Sequence, residues 1–327
     1  MAAKYKVLIT DYIWPSLDPE RGVLEPIGAE LVAATTGAED ELVGLAADAD
    51  AIMTCFAKVT TKVVEAAKNC RIIARYGIGL DNIDVETATK RGIVVTNVPA
   101  YCLDEVSDHA MMLLLGLARK VTTYDRAVRA GNWDVNVAKP LRRLRGQALG
   151  IVGLGKIGTL LAGKARPFGL RVLAYDPYLD AEKARERGAA LVDFPTLLAE
   201  SDFISIHAPL GQAEGTSGMF SDAEFRAMKR TARLINTARG GIVDDKALYR
   251  ALKEGVIAGA GIDVLPTEPP PADSPLFELD NLILTPHSAF YSEESLIDLE
   301  TLPAEEVARV LTGRRPVSPV NPQVLGG

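Results

Sequence analysis

The chain has 327 residues, 48% apolar and only 6% aromatic, with a formal charge of −7. That length allows two domains with sizeable cores. The acidic charge, spread along the chain, argues against a broad nucleic-acid or anionic-membrane footprint and leaves small anions to local basic pockets. The three cysteines, Cys55, Cys70 and Cys102, show no paired spacing, so neither a disulfide framework nor a zinc site is suggested and reduced core thiols are expected.

The N-terminal MAAKYKVLITD enters a strand pattern directly, without the features of a signal peptide. No apolar run approaches the roughly 18 to 20 residues that span a bilayer, so a cytoplasmic protein is expected. Short β-branched runs then alternate with helical patterns. KVLIT, ELVAA, AIMTC, RIIAR and IVVTN fall before residue 100; ALGIVGLG, RVLAYD, ALVD, FISIHA, RLINTA, GAGID and LILTP fall after residue 146. Continuous apolar strands separated by helices predict parallel sheets covered on both faces, here two doubly wound α/β units of Rossmann or flavodoxin type. The long helical stretch between them, LDEVSDHAMMLLLGLARKVTTYDRAVRAG, is too apolar at MMLLLGLA for a surface helix and is expected to pack between units or subunits. Pro167 is expected to distort the helix before it, and Pro303 to kink or interrupt the helix that starts at SEESL. PTEPPPADSP, residues 266–275, reads as a rigid loop.

In ALGIVGLGKIGTLLAGKARPFGLRVLAYDPY, a strand runs into GLGKIG, a helix follows, and a second strand ends at Asp176. This is the full context of a dinucleotide site. Gly153 permits the tight turn, Gly155 lets backbone approach a pyrophosphate, and Gly158 allows close helix packing. Asp176 would accept from ribose hydroxyls and repel a 2′-phosphate, which favours NAD. Three more segments sit at strand ends of the same unit, where open α/β sheets hold ligands: NTARGG with Arg239, DVLPTEPP with Glu268, and LTPHSAF with His287. A guanidinium, a carboxylate and an imidazole together suit reduction of a 2-keto acid. They supply a clamp for its carboxylate, a proton donor for the developing alkoxide and an acid that orients the donor. In the first half, RIIARYGIGLDNID offers Arg75 and backbone amides around Ile78 as an anion cradle, or a plain strand-to-helix turn.

With GLGKIG, HAPL, NTARGGIVD, DVLPTEPP and TPHSAF in this order, the chain resembles the D-specific 2-hydroxyacid dehydrogenase family from end to end. Through YDPYL, NTARGGIVDDKALYRALKEG and TPHSAFYSEES it resembles the C-terminal binding protein branch most. The resemblance implies that Arg239 holds substrate, Glu268 hydrogen-bonds His287 and His287 passes the proton. It implies substrate contacts at Arg75, Tyr76, Gly77, Ile78 and Phe290, with Tyr101 a further candidate. It implies NAD contacts at Gly153, Gly155, Lys156, Ile157, Gly158, Asp176, His207, Pro209, Thr237, Ala238 and Asp263. It also implies a substrate domain of residues 1–100 plus 293–327, an NAD domain of residues 101–292 that includes a dimerisation helix, a cleft between the domains and a homodimer. His109 is expected to be structural. Phe290 departs from the tryptophan of the branch, which changes the pocket's size and removes an N–H donor. The alternative is a nucleotide-sensing scaffold with weak turnover. The intact Arg239, Glu268 and His287 set and the absence of the branch's long extensions favour the enzyme.

Overall fold

The computed structural model describes residues 4–211 and 215–326, and the chain divides into two compact units, Met1–Tyr101 with Ser292–Gly327, and Cys102–Tyr291. The first carries β1 (Tyr5–Ile9), β2 (Ala29–Ala33), β3 (Ala51–Thr54), β4 (Ile72–Arg75) and β5 (Val94–Thr96), all parallel, in the order β2-β1-β3-β4-β5. The second carries β6 (Ala148–Val152), β7 (Arg171–Tyr175), β8 (Ala190–Leu191), β9 (Phe203–Ile206), β10 (Arg233–Asn236), β11 (Gly259–Ile262) and β12 (Leu282–Leu284). Its order is β12-β11-β10-β9-β6-β7-β8, again all parallel. Sequence order reverses between β6 and β9, and that crevice at the strands' carboxyl ends is where such a sheet takes a ligand.

One expectation is corrected and another refined. MMLLLGLA lies in the helix Leu103–Arg119, and Leu113, Leu114 and Leu117 are buried in the second unit's own core with Leu149, Ile151, Phe203 and Ile235, while Met112 on the other side is 45% exposed. The apolarity serves the sheet beneath the helix; each fully buried leucine there contributes on the order of 2–5 kcal/mol. Pro303 does not interrupt the last helix, which runs unbroken from Glu293 to Leu311 and buries Pro303, Ala304 and Val307 within the first unit. Burial of that face, with the Ser292 and Ser295 capping box at the start, outweighs the missing N–H. Pro167 falls in a 3₁₀ turn, Arg166–Phe168, that follows the helix Lys156–Ala165.

The first unit buries an unexpected acid. Glu20 is fully buried, and its Oε1 accepts from Trp14 Nε1 at 3.1 Å and from the Tyr76 hydroxyl at 3.1 Å. Burial drives its carboxyl up to about 7, helped by the charge of Glu300 and opposed by those hydrogen bonds. The fold therefore holds the proton between the ordinary carboxyl range and about pH 7, where the unfolded chain has released it. Stability from this group is complete below the unfolded value and is lost as pH rises through the folded one. Wild type should lose about 2.5 kcal/mol more than Glu20→Gln between pH 5 and pH 8. Equal pH slopes in urea melts of the two proteins would show that Glu20 ionises freely in the fold.

Candidate active site

The turn after β6 is shaped by the need to pass close to the loop after β9. Gly153 has φ 87°, and a Cβ there would stand 2.9 Å from the Ala208 nitrogen, so only glycine fits. Gly158 lies against the Gly153 carbonyl, while the space over Gly155 is open. Arg187 pins the turn by donating to the Leu154 carbonyl at 2.6 Å. Asp176, at the end of β7, accepts from the amides of Leu154 and Tyr178, both at 3.0 Å, which fixes its carboxylate at the rim. A cavity of about 400 Å³ opens here, lined by Gly153, Asp176, Tyr178, Ala208, Pro209 and Thr216 among others.

Lys156 and Ile157 form the first turn of the following helix, Lys156 exposed and Ile157 half-buried. His207 Nε2 meets Ser205 Oγ at 2.9 Å, and burial pushes the ring down to about 4, so it is neutral at physiological pH. Thr237 is buried at the end of β10, and its hydroxyl has no partner among the described residues. An orphaned buried hydroxyl, an open helix N-terminus and a fixed acid at the second strand's end fit a dinucleotide. Ala238 is half-buried next to Thr237, and its amide donates to Asn236 Oδ1 at 3.0 Å.

The sequence-predicted cation, acid and imidazole lie on three loops at the carboxyl ends of β10, β11 and β12. Asn236, not singled out by sequence, bridges the turn bearing Arg239: it donates to the Arg239 carbonyl at 2.9 Å while accepting from Ala238. Gly240 brings that turn against the next loop, since a Cβ there would sit 1.9 Å from the Leu265 carbonyl carbon. Arg239 Nη1 donates to the Ala238 carbonyl at 2.8 Å. Glu268 Oε1 accepts from the Leu265 amide at 2.8 Å, and Oε2 lies 2.7 Å from His287 Nδ1. Burial presses the Glu268 carboxyl upward, but the His287 hydrogen bond and charge, the Leu265 amide and Arg239 together hold it below the usual range. Glu268 is thus an acceptor at neutral pH, and Nδ1 of His287 carries the proton between them. Both side chains are about a third exposed, 28% for His287 and 33% for Glu268. The Phe290 ring stands edge-on to His287 with centroids 6.3 Å apart.

Asp263 is buried at 2% exposure and accepts from Thr285 Oγ1 at 2.5 Å, the Ser288 amide at 2.9 Å and the Ala289 amide at 3.0 Å. Those donors give it a structural task in addition to the cofactor contact that the sequence suggests. In the first unit, Arg75 is buried with Nη1 against the carbonyls of Tyr76 and Thr54, and Tyr76 is buried at 2% exposure. Gly77 is buried with φ 138° and its carbonyl accepts from the Val98 amide at 3.0 Å. Ile78 is half-buried, with its carbonyl held by Asn97 Nδ2 at 2.7 Å, and Tyr101 is half-buried too. Among the described residues no helix is long and apolar enough to cross a membrane, and no group of three or more His, Cys, Asp or Glu is arranged for a metal ion.

Residues 111–289 match the family description "D-isomer specific 2-hydroxyacid dehydrogenase, NAD binding domain". A glyoxylate reductase of Korarchaeum cryptofilum is 44% identical over 283 residues, covering 85% of this chain and 84% of that protein. A D-3-phosphoglycerate dehydrogenase of Methanocaldococcus jannaschii is 39% identical over 318 residues, 97% of this chain but 59% of that longer protein. Among solved structures, the D-lactate dehydrogenase of Aquifex aeolicus complexed with NAD and lactic acid has a TM-score of 0.82 at 30% identity, covering 94% of this chain and 96% of that one.

Proposed function

The chain belongs to the D-isomer-specific 2-hydroxyacid dehydrogenases, and from that membership we propose that it reduces glyoxylate or a similarly small 2-keto acid, with His287 as proton donor. The observation that carries this reading is the 2.7 Å contact between His287 Nδ1 and Glu268 Oε2, beside the turn that bears Arg239. When bound, NADH supplies the hydride. The Arg239 guanidinium holds the substrate carboxylate and polarises its carbonyl. His287 gives the Nε2 proton to the carbonyl oxygen as negative charge develops there, and Glu268 stabilises the imidazolium and fixes the ring's orientation. In oxidation the neutral ring takes the proton back. Residues of the cavity rim would hold the dinucleotide: the amides of Lys156 and Ile157, in the first turn of the helix after the glycine turn, would donate to its pyrophosphate, and Asp176 would accept from its ribose.

NADH consumption with glyoxylate, pyruvate, hydroxypyruvate and 3-phosphohydroxypyruvate tests the proposal, with NADPH run alongside. Turnover of the first three with NADH is expected. A preference for the phosphorylated acid would favour the second reading, which rests on similarity to a phosphoglycerate dehydrogenase over nearly the whole chain. Comparable efficiency with NADPH would remove the role given to Asp176. The chain is proposed to work as a homodimer. Trp133 is 88% exposed, Val135 72% and Val121 54%, an apolar group that a second copy would cover. Light scattering that returned the 35.0 kDa mass of one chain at micromolar concentration would refute the dimer.

A further inference from the structure

The turn that carries His287 is held from beneath. His287 has φ 53°, a left-handed backbone that costs a non-glycine residue about 1–2 kcal/mol. Its amide donates to the Asp263 carbonyl at 2.8 Å and to the Thr285 carbonyl at 3.1 Å, while the next two amides donate to the Asp263 carboxylate. The remaining donor to that carboxylate is the Thr285 hydroxyl, at 2.5 Å from Oδ1. A hydroxyl has one proton, and this one is committed to the acid. The His109 Nε2 atom, 2.9 Å from the same hydroxyl, must therefore donate to it. His109 comes from the helix Leu103–Arg119, which also buries Leu113, Leu114 and Leu117 in the core of the second unit. Burial lowers the pKa of its ring, opposed by the charge of Asp263 3.5 Å away, in keeping with a neutral ring whose one proton sits on Nε2.

We propose that His109 and Thr285 are positioning residues for the reaction: a hydrogen-bond chain His109→Thr285→Asp263 anchors the His287 turn to the long helix and sets the imidazole against Glu268. The inference rests on the reading of His287 as proton donor. Two facts make the chain directional. Asp263 is a buried carboxylate without a cation at salt-bridge distance among the described residues unless His109 is charged, so each neutral donor counts. Thr285 stands two residues before His287, so a shift of its side chain moves the turn directly. Without its hydroxyl, Oδ1 keeps the Ser288 amide, and the hydrogen bond from His109 to the turn is lost. A displacement of about 1 Å at a proton donor lowers turnover by about 100-fold.

The test uses the full chain with Thr285→Val, Thr285→Ser and His109→Phe. Thr285→Val is expected to lower kcat for 2-keto acid reduction by about 10- to 100-fold with KM and NADH affinity within about 3-fold of wild type, and Thr285→Ser to recover kcat to within about 3-fold. His109→Phe should lower kcat by a smaller factor in the same pattern. Because the chain has three histidines, ¹⁵N-labelled imidazoles can be resolved in wild type and variants. The proton is expected on Nε2 of His109 and on Nδ1 of His287 in wild type, and the His287 preference should be lost in Thr285→Val. Unchanged kcat in Thr285→Val, or equal losses in Val and Ser variants, would overturn the chain while leaving the reductase intact. Absence of any turnover by wild type would overturn the reductase reading instead, and the His287 tautomer in Thr285→Val would then decide the chain by itself.

Discussion

Replacing His287 with alanine is expected to lower kcat for 2-keto acid reduction by about 10³-fold, within the 10²- to 10⁴-fold range of a positioned acid–base group, while NADH still binds. The dinucleotide fit depends on the Gly153 turn, the helix after it and Asp176, at the ends of β6 and β7, whereas His287 follows β12. Loss of the ring removes the proton donor from the transition state and leaves ground-state contacts in place, so kcat and kcat/KM should fall together. NADH affinity is read by fluorescence titration, and turnover by absorbance. A variant that kept more than a tenth of wild-type kcat would assign the proton to another group. A variant that lost NADH binding as well would show that the turn, and not the chemistry, had failed.

Arg239→Lys is expected to lower kcat/KM by about 100-fold or more although the charge is kept. An ammonium offers a point charge on a flexible stem, whereas the guanidinium can meet a carboxylate and the adjacent carbonyl oxygen with two parallel N–H donors. The backbone is built to present that fork. Asn236 bridges the turn from both sides, and Gly240 lets it close against Leu265. KM should rise from the lost carboxylate clamp, and kcat should fall from the lost polarisation. A lysine variant with near-wild-type kcat/KM would show that charge alone suffices there, and the planar clamp would have to be abandoned. Glu268 is expected to keep its acceptor role over a wide pH range. Its carboxyl is held below the ordinary range, so it remains an acceptor as pH falls through the region where a free glutamate would protonate.

The twelve strands were legible because a parallel sheet buried on both faces leaves unbroken apolar runs, and the glycine turn was legible because its spacing follows from backbone geometry. Arg239, Glu268 and His287 stood out by charge at the ends of such runs. What the sequence hid has physical causes. A hydrophobic stripe such as MMLLLGLA does not say which surface covers it; in the structure Leu113 and Leu114 meet the second unit's own sheet, while Met112 stays exposed. Pro303 looked like a break because propensity is local, and burial with Ala304 and Val307 outweighs it. Glu20 gave no signal at all, since an acid two residues into a helix reads as an ordinary first-turn charge until Trp14 and Tyr76 close over it. Asp263, Thr285 and His109 are far apart in sequence, and only the adjacency of β11, β12 and the long helix makes them one network. The sequence singled out Asp263 as a cofactor contact and His109 as a structural histidine, and Thr285 not at all.

Hydride transfer to C2 of a 2-keto acid, with the proton delivered to its oxygen by His287, can be read from the product. Pyruvate or hydroxypyruvate is reduced with NADH carrying deuterium at both C4 positions, followed by chiral analysis and mass spectrometry of the product. The expected product is a D-2-hydroxy acid carrying one deuterium at C2, formed at least about 100-fold more slowly by His287→Ala. An L product, a product without deuterium, or equal rates for wild type and His287→Ala would contradict it.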